Sequence, residues 1–187
     1  MSIVTLNNRA INRSDTASSG QAWTATSATA SDFQDAGGDN TPYFYAYKSA
    51  NSSLSDATWT VVVFDTEKQD SASAYNTSTG IFTVPSGQGG QYYLEHGVRV
   101  EASTSQVDRM FCYGESGGGS TQYWGNGSMD FRGNAGQGTT VYGSGIITLA
   151  AADTAKVNIY CDVNAGTPTL MGNAYATTWF LGYKIIT

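Results

Sequence analysis

His96 is the one histidine among 187 residues, and as a general base it needs an orienting partner and a nucleophile within reach. Glu95 and Glu101 lie close in sequence, and a pair of carboxylates facing one groove is what glycoside cleavage requires. Alternation along a strand, however, sends His96 to one face and both glutamates to the other. No pairing of these residues demands an enzyme, and His96 reads as a packed, hydrogen-bonded core or interface residue. Near a subunit axis it would be a pH-sensitive point. Cys112 and Cys161 are the two cysteines, and they read as buried free thiols, not as a disulfide or half of a metal site. Asp65, Asp70, Asp108, Asp130 and Asp153 are dispersed, with no Asp-x-Asp-x-Asp-Gly loop for a hard cation. The glycine-rich pieces are not followed by Lys-Ser or Lys-Thr, so no phosphate loop is present. The expectation is a protein without a cofactor and without catalysis.

Binding chemistry has one stronger candidate. Between Cys112 and Val141 runs an irregular, glycine-studded stretch containing Tyr123-Trp124. An exposed Tyr-Trp pair on a loop can stack on a sugar or pack on a protein. The alternative is that both belong to a strand buried in the core or at a subunit interface.

The elements that must position these residues are strands. Twenty-two glycines and twelve tyrosines, with few Lys, Glu or Leu, favour an all-β chain, because aromatic and β-branched residues fit a pleated surface and glycines punctuate turns. Tyr92, Leu94, His96, Val98 and Val100 share one face of a strand, and Tyr93, Glu95, Gly97, Arg99 and Glu101 the other. Val157, Ile159 and Cys161 likewise oppose Lys156, Asn158, Tyr160 and Asp162. Several such strands imply a sandwich or jelly roll. Its tyrosine-rich outward faces call for water or a neighbour, which self-association supplies.

One spacing is more specific. Phe64, Asp70, Tyr75 and Phe82, followed by Gly90-Gln91-Tyr92-Tyr93-Leu94, resembles the central pattern of C1q-like domains. Tyr45-Ala46-Tyr47-Lys48 resembles that family's opening strand and Thr60 to Asp65 its second. Ile146 to Leu149 with Val157 to Ile159 resembles the late pair, and Phe180-Leu181-Gly182-Tyr183-Lys184-Ile185 the closing strand. The likeness spans residues 42–187, with Leu94 and His96 standing where aromatics are usual. It implies a C1q/TNF-like jelly-roll sandwich, a homotrimer, and a binding or assembly role.

Residues 1–41 differ in composition. Ser, Thr, Ala, Asn and Asp dominate, and Ile3, Val4, Leu6, Ile11, Trp23 and Phe33 are scattered among them. Such a segment reads as an N-terminal arm that orders on a partner, or else as a floppy leader or extra edge strands of the same domain. A net charge of −6 with nine Lys and Arg leaves no basic stripe for nucleic acid. No apolar run reaches the length that spans a bilayer. The start lacks a basic region followed by an apolar core, which implies synthesis and folding in a cytoplasm.

An acidic arm-plus-jelly-roll without collagen repeats resembles the small C1q-like virion proteins of tailed bacteriophages. The expected function is a capsid decoration or cement protein, gripping the major capsid protein or another virion protein through its arm. The rival is a tail-fibre or tail-tip protein that recognises a host surface glycan or protein; a jelly-roll glycan-active enzyme is the remaining alternative.

Overall fold

The computed structural model describes residues 40–102, 107–119, 121–132 and 137–186, together with the backbone of 21–27 and 30–35. By backbone contacts the chain divides into two units, Met1–Asp39 and Asn40–Thr187. In the first, β1 (Gln21–Ser27) and β2 (Ala30–Asp35) pair as an antiparallel hairpin with Trp23 opposite Phe33. Ile3, Val4, Leu6 and Ile11 lie outside the described residues.

The second unit is all-β. Its first half holds β3 (Tyr43–Tyr47), β4 (Ser52–Ser53), β5 (Thr60–Val61), β6 (Thr66–Asp70), β7 (Tyr75–Asn76) and β8 (Ile81–Thr83). Its second half holds the long strands β9 (Gly90–Glu101), β10 (Val107–Gly117), β11 (Tyr123–Asp130), β12 (Gly138–Leu149) and β13 (Thr154–Val163), then β14 (Thr169–Leu170) and β15 (Trp179–Lys184). In the larger sheet β9 carries β12 along one side and β15 and β14 along the other, and β15 continues to β3 and β6. The smaller sheet runs β11, β10, β13, with β5 and β8 sharing the far side of β13 and β7 outermost. The two sheets are the layers of a jelly roll.

Alternation fills the space between them. Tyr92, Leu94, His96, Val98 and Val100 of β9 face inward against Met110, Cys112, Val157, Ile159 and Cys161 from the other sheet, all of them buried. At one end the filling is aromatic. The Phe44 ring stacks on Phe82 at 4.6 Å and Tyr75 at 5.4 Å and meets Phe180 edge-on at 4.8 Å, while Phe64 and Trp124 also reach Phe180. Asp70 closes the turn beneath this cluster by accepting the Tyr75 and Ala72 N–H groups.

Three readings of the sequence change. Of Thr60 to Asp65 only Thr60–Val61 is strand; Val62 still donates its N–H to the Val157 carbonyl, and Val62 and Phe64 are completely buried. Asn158, assigned to the wet face, is buried and donates its amide to Glu115. The stretch from Cys112 to Val141, expected to be irregular, consists largely of β10, β11 and β12. Its glycines mark close approach and not only turns: a Cβ on Gly114 would lie 1.9 Å from the Trp124 indole, and one on Gly143 only 1.8 Å from the Gly125 carbonyl oxygen.

The indole needs the space a side chain at 114 would take. Gly114→Ala is therefore expected to destabilise the domain by about 1–3 kcal/mol in urea unfolding. Gly119→Ala, where nothing lies within 4 Å, should stay within about 0.5 kcal/mol. Equal effects from the two would contradict this account of the packing.

Candidate functional site

His96 sits inside the sandwich. Its ring is fully buried, Nε2 lies 3.1 Å from the Gly125 carbonyl and Nδ1 3.6 Å from Cys112 Sγ. With Nε2–H donating to the carbonyl, Nδ1 is the acceptor left for the Cys112 thiol. The side chain thus ties β9 to β10 and β11, bridging the sheets. It faces away from any outer surface where a subunit axis could pass. Glu95 and Glu101 project from the opposite face of β9, where Glu95 accepts the Tyr93 hydroxyl and Glu101 the Arg99 guanidinium. These three residues share no groove.

The thiols are free and buried. Burial raises both, Cys161 to about 12, so neither is a nucleophile at neutral pH. The aspartates organise turns and ion pairs. Burial opposes ionisation of Asp65, but the Lys48 ammonium at 2.6 Å and the Ser49 N–H outweigh it and hold the carboxyl at about 2. Asp130 pairs with Arg132, and Asp153 accepts the Ala150 N–H. Among the described residues no three of His, Cys, Asp and Glu group as metal ligands.

Tyr123 and Trp124 do not act together. They open strand β11, so alternation divides them: Tyr123 is exposed, whereas Trp124 is 4% exposed and packs on Gly114, His96 and Phe180. This corrects the reading of a loop pair stacked on one ligand. The residues of the family-like motif take core and turn places. Phe64, Tyr75, Phe82, Tyr92 and Phe180 are buried, Asp70 holds its turn, Gly90 has φ +152°, and a Cβ on Gly182 would meet Leu94 at 2.4 Å.

The surfaces with unspent contact capacity are the outer faces. On the larger sheet, residues opposite one another in the ladders share a face. One row runs Ile146, Tyr93, Tyr183, Tyr43, the next Ser144, Glu95, Leu181, Tyr45, and the third Tyr142, Gly97, Trp179, Tyr47. Tyr142 and Ile146 are more than 60% exposed. Tyr93 and Tyr183 lie 5.3 Å apart, Trp179 and Tyr142 close over Gly97, and the Lys68 ammonium rests over Tyr45 and Tyr47. The sequence pointed to tyrosine-rich outward faces but not to this arrangement, although its signal was present in Tyr93 on the outer side of β9 and in Tyr43, Tyr45 and Tyr47 at period two.

Comparison with known proteins places the architecture. No family model and no curated protein sequence matches the chain. Among solved structures, the globular domain of a zebrafish complement 1qA protein matches with a TM-score of 0.56 at 17% identity, covering 78% of this chain and 98% of that one. Murine APRIL matches at 0.57 and 14%, over 76% and 98% of the two chains. Eiger TNF from S. frugiperda matches at 0.56 and 11%, over 76% and 91%. The fold is the C1q/TNF-like jelly roll.

Burial drives His96 from 6.5 down to about 4, against the pull of the Gly125 carbonyl. The folded state favours neutral imidazole, so the stability tied to it is complete above the unfolded value and is lost as pH falls through about 4. The loss is on the order of 3 kcal/mol. Urea unfolding between about pH 7 and about pH 4 should show that decline, flattened in His96→Gln. The same decline in the variant would remove His96 as its source.

Proposed function

We propose that this chain is a homotrimeric structural protein of a tailed-bacteriophage virion, a capsid decoration or cement protein. In this reading the jelly roll trimerises through the outer face of its larger sheet, and residues 1–41 grip the major capsid protein or another virion protein. The observation that carries it is the three-row aromatic face. A contiguous apolar surface of this kind on a domain marks an interaction site, and tyrosine and tryptophan suit an interface that is apolar in body and polar at the rim. Three copies is the number implied by the resemblance to C1q- and TNF-like domains, and three closed copies satisfy rotational symmetry without open ends. The arm carries the β1–β2 hairpin, and the polar composition of the sequence around it suits a segment that orders on its partner. Three arms on one trimer raise the effective concentration at the capsid, so weak single contacts hold together.

A second reading is a tail-fibre or tail-tip protein recognising a host surface glycan or protein. A separate aromatic cluster on the smaller sheet favours it, and location separates the two. A decoration protein covers the head in many copies, whereas a fibre is present in few copies at the tail.

Ile146→Lys places a charge in the first aromatic row. Sedimentation is expected to show the trimer falling to monomer while the unfolding midpoint of the domain changes little, because the side chain is 61% exposed in the single chain. An unchanged trimer would move the interface elsewhere. Deletion of residues 1–41 is expected to leave the trimer intact and abolish joining to the virion. Normal incorporation of the truncated chain would defeat the anchoring role.

A further inference from the structure

The smaller sheet also turns aromatics outward, and their arrangement differs from that of the larger sheet. Phe111 lies opposite Tyr160 and Tyr113 opposite Asn158 across the β10–β13 ladder. Trp59, 48% exposed, leans over both tyrosines with ring centroids 4.8 Å from Tyr113 and 5.4 Å from Tyr160. Beside it the β10–β11 register breaks between Cys112 and Gly114, so that two residues, Gly125 and Asn126, stand opposite Tyr113. Gly125 has φ +57°, and a Cβ there would meet the Gly143 backbone at 2.7 Å. A bulge led by a left-handed glycine re-aims the following side chain. The result is a cleft of about 280 Å³ with Trp59, Phe111 and Tyr113 on its aromatic side and Asn126, Gly127 and Ser128 on its polar side.

We propose that this cleft binds a neutral saccharide, one pyranose ring stacking on the Trp59 indole while Asn126 and Ser128 hold its hydroxyl edge. A pyranose carries a C–H face and a hydroxyl rim, which are the two chemistries the walls offer. The volume lies just under the range for drug-sized ligands and suits a single ring whose neighbours extend into solvent. Charge selects against an ionic ligand. At one end of the aromatic strip Arg109 is paired with Asp162, and at the other Lys156 is paired with Glu115, which also accepts the Asn158 amide. Neither pair leaves a free counter-charge. A flat protein partner fits less well, because Asn126 and Ser128 make no side-chain hydrogen bond among the described residues, and covering them unmatched costs about 1–3 kcal/mol each. The site lies on the opposite sheet from the proposed trimer face, so it does not depend on assembly.

Saturation-transfer NMR on the full chain tests it with methyl glycosides of glucose, galactose and N-acetylglucosamine as probes and N-acetylneuraminic acid as the anionic control. Transfer to the ring C–H protons of at least one neutral glycoside, and none to the anionic sugar, is expected. Trp59→Ala should weaken that binding about 3- to 10-fold and Asn126→Ala should also weaken it, while Tyr175→Ala, at an exposed turn before β15, leaves it unchanged. Three results would each overturn the proposal. One is no transfer to any neutral glycoside. Another is undiminished transfer in both cleft variants. The third is a lower solution mass in Trp59→Ala, which would make the cleft a contact between copies.

Discussion

The two sheets of this jelly roll are held in contact by aromatic rings seated on glycines. Trp124 occupies the space over Gly114 that any side chain there would need, and Phe44 and Leu94 close over Gly182 in the same manner. Because the rings fill the interlayer so closely, a side chain added at these glycines has no empty volume to enter. His96 belongs to this packing. Its two ring nitrogens satisfy a carbonyl and a thiol from the facing sheet, which lets a polar ring replace an aromatic one without leaving a buried group unpaired.

Filling the interior this way determines the exterior. With period two, each inward position on β9, β12, β15 and β3 has an outward neighbour, and here those neighbours are tyrosine, tryptophan, leucine and isoleucine more often than charge. The smaller sheet obeys the same rule with a different outcome. Ion pairs bracket its aromatic strip, and a bulge cuts a cleft into it. One face is broad and continuous, which suits another protein surface; the other is narrow, concave and charge-balanced, which suits a small neutral ligand.

Much of the fold was legible in the residues. The alternation from Tyr92 to Val100 named the inner face of β9 correctly, including His96, because a strand buried on one side admits only one register. The spacing of Phe64, Asp70, Tyr75 and Phe82 pointed to the jelly roll because those residues form the aromatic end of the core and its turn. The stretch from Cys112 to Val141 was not legible. Its glycines read as turns, whereas Gly114, Gly125 and Gly143 sit in strands where rings and backbones approach closely, a constraint set by residues on neighbouring strands distant in sequence, which leaves no local mark. The aromatic cluster of the smaller sheet was obscured for the same reason. Tyr123 and Trp124 looked like a pair until alternation divided them, and Trp59 joins Tyr113 and Tyr160 only through strands distant in sequence.

In the proposed trimer the outer face of the larger sheet is covered by two further copies of the chain. Light scattering on the purified full-length protein tests it most directly. A solution mass three times the chain mass of 19.8 kDa, constant on dilution, is expected. A single-chain mass at every concentration would contradict it, leaving that aromatic face to a partner of another kind.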